Sequence, residues 1–166
     1  MMADGAFFRS QVAAEPRKSF DFGRFISVEL FRQEEPWTAA QAFLFIIIAA
    51  ASCDGNIAPE ESEQILSTIH RSRLFKEASG EELRNIHNVV VDRLGKRGDR
   101  ALSDACTALP VEYALAAFAQ AIDVVLADGG FVAAEADFLD RLMVLLNISD
   151  TDAAKIAEVM NIKNGC

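Results

Sequence analysis

Two short stretches carry the same side chains at the same spacing. Residues 53–61 read CDGNIAPEE and residues 127–135 read ADGGFVAAE, so Asp54, Gly55 and Glu61 of the first recur as Asp128, Gly129 and Glu135 in the second. Hard divalent cations take oxygen ligands, and paired carboxylates across a turn are a natural supply of them. Asp54, Glu61, Asp128 and Glu135 are therefore the candidate ligands for a divalent metal ion whose identity the residues leave open, with Glu60, Glu63, Asp123 and Asp137 close enough in sequence to help.

The spacing matches the second half of a helix–loop–helix calcium loop, with Asp at position 5, Gly at 6 and Glu at 12. Positions 1 and 3 would then be Ala50 and Ser52 in one copy and Val124 and Leu126 in the other. Calcium takes six to eight oxygens, so neither half loop holds it alone. The same residues also have a purely structural reading. Gly55 and Gly129 suit the left-handed position that ends a helix. With Ala58 and Val132 as N-caps, Glu61 and Glu135 fall at N3, where a carboxylate caps backbone N–H groups and favours the helix dipole. Asp54 and Asp128 can accept from the N–H groups of their own turn.

Other chemistry has less support. His70 and His87 lie on separate predicted helices without the spacing of a di-iron or zincin site. Cys53, Cys106 and Cys166 form no close pair, which points to a reduced, cytoplasmic setting rather than a disulfide framework. No glycine-rich phosphate loop or nucleophile elbow is present. A metal-dependent hydrolase remains the enzymatic alternative, but it would need an open coordination position that nothing in the sequence requires.

The corners need helices on both sides, and the hydrophobic pattern supplies them. Thr38 caps a helix through the apolar run Ala42 to Ala51, and Pro59 suits the first turn of a second helix to about Arg73. Ser79 or Gly80 opens a third, with Leu83, Ile86, Val90 and Leu94 at helical spacing and Arg84, Arg93, Lys96 and Arg97 on its other side. A shorter helix covers about 99–108, and Pro110 starts another that runs through Tyr113 to Ala127. The helix after the second corner spans about Ala133 to Leu146, and Ser149 with Asp152 opens a last one that turns Ile156 and Met160 inward. The reading is all-α, about seven helices. Laying the first copy over the second also places Ile57 on Phe131, Ile65 on Leu139 and Ile69 on Met143, so two pseudo-symmetric halves follow from one duplication.

Residues 1–36 form a Phe-rich N-terminal segment with no assigned packing, and residues 37–166 form the helical domain. The longest apolar run is ten residues, while a transmembrane helix takes about 20, so no transmembrane segment is expected. Net charge is −9, and residues 101–166 hold ten acids against three bases. Such a surface disfavours nucleic acid, whose binding rests on neutralised phosphates, and suits cations or basic protein partners.

The paired D-G-x-[I/F]-x-x-x-E corners, the Ala-rich helix before each, and LLNISDTDAAKIAEVM after the second resemble the TerB-type tellurite-resistance family over about residues 38–163. The resemblance implies an all-α, TerB-like bundle without catalytic activity, tied to resistance to tellurite and other stresses. It also implies protein partners near the inner face of the membrane, hence a cytoplasmic, peripheral location, and metal binding by acidic residues that map to Asp54, Glu61, Asp128 and Glu135. The second copy departs from the pattern: Gly130, Val132 and Ala134 leave it less polar than the first. Two functions are therefore expected to compete: a non-enzymatic module whose corners bind divalent metal, or an interaction scaffold, homo-oligomeric or with other proteins, whose corners are only turns and caps.

Overall fold

The computed structural model describes residues 35–53, 55, 65, 72–127 and 132–165. Among them lie five α-helices and one short 3-10 turn, and no strand. The helices are α1 (Ala39–Ala51), α2 (Gly80–Ala108), α3 (Ala114–Leu126), α4 (Ala133–Leu145) and α5 (Asp150–Asn164). The helix expected over 59–73, and the segment 1–34, lie outside the described residues.

The centre of the fold is α1. Thr38 closes a capping box at its start: the Gln41 N–H donates to the Thr38 hydroxyl at 3.2 Å, and the Thr38 N–H donates to the Gln41 side chain at 3.1 Å. Ala42 through Ala50 are buried without a break. A helix apolar on every side can only be a central one. It packs on α2 and α3, and α3 in turn carries α4 and α5. Phe45, Phe75 and Phe118 are fully buried, each worth about 1.5–3 kcal/mol relative to exposure. Phe75 meets Phe43 edge-on at 6.0 Å.

Ser79 and Glu82 cap α2 reciprocally, at 2.7 and 3.2 Å. The two helices that the sequence suggests here follow one another as the two arms of α2, Gly80–Ala108, separated by a kink at Gly98 (φ 43°, ψ −117°). Only glycine enters that region without strain. Before the break Leu83 and Val90 turn inward, and after it Ala101, Leu102, Ala105 and Cys106 do. Pro110 leads into the 3-10 turn Val111–Tyr113 rather than directly into α-helix. That tight turn delivers the chain to α3, which buries Ala117, Phe118, Ala121, Ile122 and Val125.

Asn147 (φ 54°) ends α4 in the left-handed conformation. The Asn147 N–H donates to Val144 at 3.1 Å and the Ile148 N–H to Met143 at 2.9 Å, the paired pattern of a Schellman motif. Ile148 and Met143 are both buried, as that motif favours. Ser149 then caps α5 by accepting from the Asp152 N–H at 3.1 Å. The other half of the expected capping box is absent: the Asp152 carboxylate accepts from the Ser149 hydroxyl at 2.8 Å instead of reaching the backbone. Aspartate is one methylene too short for that reach. The buried positions of α5 are the small Ala153 and Ala157. No single helix among the described residues is long and apolar enough to cross a membrane.

Candidate functional site

The acidic corner between α3 and α4 is described from both sides. On the α3 side, the Ala127 N–H closes the last turn on Val124 at 3.2 Å. On the α4 side, Val132 is extended (φ −88°, ψ 165°) and acts as N-cap. Its side chain has no acceptor, so Glu135 does the capping: Oε2 accepts from the Val132 N–H at 2.8 Å. The valine at this cap therefore leaves the helix start dependent on the glutamate three positions on.

Asp123 belongs to a different contact. It lies one turn before the end of α3 and accepts from Lys163 Nζ at 2.5 Å, Asn164 Nδ2 at 2.8 Å and Gln120 Nε2 at 3.5 Å. Burial pushes its carboxyl up, but the hydrogen bonds from Lys163 and Asn164, the Lys163 charge and the Gln120 contact outweigh it, leaving the carboxyl below the usual range. An ammonium thus already sits where a helper ligand would need a metal. Asp123 locks α5 to α3.

Asp137 is exposed on α4 and, with Asp140, Arg141, Val144 and Leu145, lines a shallow depression of about 260 Å³. Asp140 is almost wholly buried. Asp54, Glu60, Glu61, Glu63 and Asp128 lie outside the described residues. Of the first corner, the described part is a run of turns: Ser52 to Ile48 at 3.0 Å, Cys53 to Ala50 at 3.5 Å and Gly55 to Ser52 at 3.2 Å, each N–H donating to the earlier carbonyl. Among the described residues, no three His, Cys, Asp or Glu side chains are grouped so as to hold a metal ion. The described carboxylates therefore do not make up a cation site by themselves.

Burial pushes the Cys106 thiol up to about 12 against a small opposing pull from Arg141, so it stays protonated and inert at neutral pH. Cys53 and His87 are half-buried, and His70 lies outside the described residues.

One residue was misplaced by the sequence. Arg93 is not on an outer basic face of α2; it is buried, with its guanidinium 4.2 Å from the centre of the Trp37 ring. Its Nη2 donates to the Glu35 main-chain carbonyl at 2.6 Å. The signal was present: Ile86, Val90 and Arg93 follow at steps of four and three, which puts Arg93 on the apolar side. The reciprocal Ser79–Glu82 cap was also legible as a Ser-x-x-Glu pattern. By contrast, the Lys96–Asp92 pair at 2.8 Å is the exposed i,i+4 contact that the charge pattern implies.

A family model described as Tellurite resistance protein TerB matches residues 40–158, from the first turn of α1 into α5. No curated protein matches the chain, and no solved structure does.

Proposed function

The chain belongs to the TerB tellurite-resistance family, and from that premise we propose that it is a non-enzymatic module of tellurite and stress resistance that works by binding a protein partner. In this reading the repeated acidic corners are turns and caps, and the acidic surface is the recognition element. The observation that carries it is the Glu135 carboxylate spent on the Val132 N–H at 2.8 Å. Asp123, spent on Lys163 and Asn164, points the same way. The excess of ten acids over three bases in residues 101–166 favours a basic partner surface. Its place of action would be cytoplasmic, at the inner face of the membrane.

A second reading keeps the corners as a divalent-cation site. The recurrence of the aspartate–glutamate pair as Asp54 with Glu61 and Asp128 with Glu135 favours it. One experiment separates the two: a thermal titration of metal-stripped protein with Ca²⁺, Mg²⁺, Mn²⁺ and Zn²⁺, wild type beside the double variant Asp54→Asn, Asp128→Asn. The scaffold reading expects a flat response to every ion and a metal-free variant that is less stable, by about 1 kcal/mol for each lost cap or turn bond. A saturable rise in melting temperature for one ion, lost in a variant whose metal-free stability is unchanged, would replace it with the cation reading.

A further inference from the structure

Arg93 is a buried cation without a counter-charge. It is 7% exposed, its Nη2 donates to the Glu35 main-chain carbonyl at 2.6 Å, and its guanidinium lies 4.2 Å from the centre of the Trp37 ring. Nη1 is buried with no hydrogen-bond partner, and no carboxylate among the described residues pairs with the group. A guanidinium stays charged and carries five N–H donors, so a buried nitrogen left bare calls for an acceptor. Its contacts also fix where it sits. Trp37 immediately precedes Thr38, the N-cap of α1, so the guanidinium lies at the positive end of that helix's dipole. The first turn of α1 holds no acid. Its capping box takes the Gln41 N–H and leaves those of Ala39 and Ala40 without an acceptor among the described residues.

We propose that Arg93 Nη1 and the start of α1 hold a small oxyanion, a phosphate or a carboxylate, beside Trp37. A full positive charge and the positive end of a helix meet here with nothing negative between them, and an anion satisfies both. It also supplies the oxygen that Nη1 lacks, as a charge-assisted hydrogen bond. Because Nη1 is buried, the ion must be small enough to be enclosed, which excludes the phosphates of a nucleic acid or a membrane surface. Part of the cover over Arg93 is residues 35–37, which precede α1 without helical structure and in which Glu35 and Pro36 are exposed. A small shift of that short lead admits an ion. The neighbourhood is suited to one: the first arm of α2 carries Arg84, Arg93, Lys96 and Arg97 against Glu81, Glu82 and Asp92. Of those acids, Glu82 is engaged by the Ser79 N–H and Asp92 by Lys96. The site stands apart from the acidic region 101–166, so it does not depend on the partner-binding reading.

Trp37 is the single tryptophan of the chain, so its fluorescence reports on this site. The full chain in phosphate-free buffer is titrated with sodium phosphate, sodium acetate and sodium chloride at matched ionic strength, and its melting temperature is followed in parallel. Wild type is expected to show a saturable change in Trp37 emission with phosphate or acetate and a matching rise in melting temperature, since an ion held only by the folded state stabilises it. The salt that saturates at the lower concentration identifies the ion's acidic group. Arg93→Met keeps the length of the side chain without its donors and is expected to respond to neither. If circular dichroism shows that Arg93→Met does not fold, Arg93→Lys decides: it keeps the charge but not the guanidinium's donor geometry, and is expected to bind roughly tenfold more weakly. A wild type flat to both oxyanions would overturn the proposal. An equal response to chloride would mean screening and overturn it too, as would a folded Arg93 variant that titrates like wild type.

Discussion

Arg141 on α4 donates from both terminal guanidinium nitrogens to Asp99, the residue directly after the Gly98 break in α2: Nη1 to the carboxylate at 2.5 Å and Nη2 to the main-chain carbonyl at 3.3 Å. The contact ties α4 to the first residue after the break, through both its side chain and its carbonyl. The two arms of the α2 helix are thus fixed in angle by glycine on one side and by α4 on the other. Both partners are about half exposed, at 42% and 51%. Solvent screens the charge term, and the pair as a whole is worth about 1 kcal/mol or less. Asp99→Asn is expected to cost less than Arg141→Met, because the asparagine leaves the carbonyl contact in place. Urea unfolding of both variants at low and high salt checks this: both effects should shrink with salt, and Arg141→Met should keep the larger residual effect because it also loses the carbonyl contact.

Gly98 is the sharper test of the same hinge. Its φ of 43° with ψ of −117° is open to glycine alone. Gly98→Ala is expected to lower the unfolding free energy by about 1–3 kcal/mol. The far-ultraviolet circular dichroism should remain that of an all-helical protein, since both arms of α2 keep their capping and packing. A neutral Gly98→Ala would mean that the break relaxes into continuous helix without cost.

Asn147 behaves as the opposite case, a non-glycine residue already in the left-handed region at φ 54°. Asn147→Gly removes the Cβ from that conformation and is expected to leave stability unchanged or raise it by a few tenths of a kcal/mol, while Asn147→Val should lower it by about 1–2 kcal/mol. Thermal unfolding of the two variants should therefore move in different directions or by clearly different amounts.

Asp123 sets an acid limb for the fold. Its folded carboxyl lies below its ordinary value, so the native state binds that proton less readily than the unfolded chain does. The contribution is fully present above the unfolded carboxyl value, about 3.9, and is lost as pH falls through the lower folded value. Asp123→Asn should flatten the stability–pH curve in that acid window, and should also lower stability at neutral pH by loosening α5 from α3.

Cys106 sets a limb at the other end. Its folded thiol is pushed up to about 12 by burial, while the unfolded thiol titrates near 9. The folded state therefore holds the proton longer, and the Cys106 contribution is constant below pH 9 and declines as pH rises from there toward 12. At neutral pH the thiol should react with an alkylating reagent only as fast as the protein opens, and Cys106→Ala should remove the alkaline decline.

The placement of Arg93 shows where legibility ended. Its spacing from Ile86 and Val90 put it on the buried face, but charge alone suggested the outer one, because a charged residue is buried only when a partner is supplied. That partner, Trp37, lies ahead of α1 in the chain, outside any local window around Arg93, and nothing nearby in sequence reveals it. Arg141 and Asp99, also far apart along the chain, were hidden for the same reason. Thr38, Ser79 and Glu135 were legible, since each cap acts within three positions of itself. The corner glutamate could be read as a cap or as a ligand from spacing alone, and the contact the structure shows is the cap, Oε2 accepting from the Val132 N–H.

By itself, the sequence determined the helices, their caps and the burial of α1, because hydrogen bonds within a turn and the 3.6-residue period are local properties of the chain. It also determined the family, through short motifs that recur in order. Tertiary structure alone decided which charges are spent. Asp123 is bound by Lys163 and Asn164, Asp99 by Arg141, and Arg93 is stacked on Trp37. A charge takes its role from whatever opposite charge, dipole or ring the packing brings within about 4 Å, and chain order does not encode that distance.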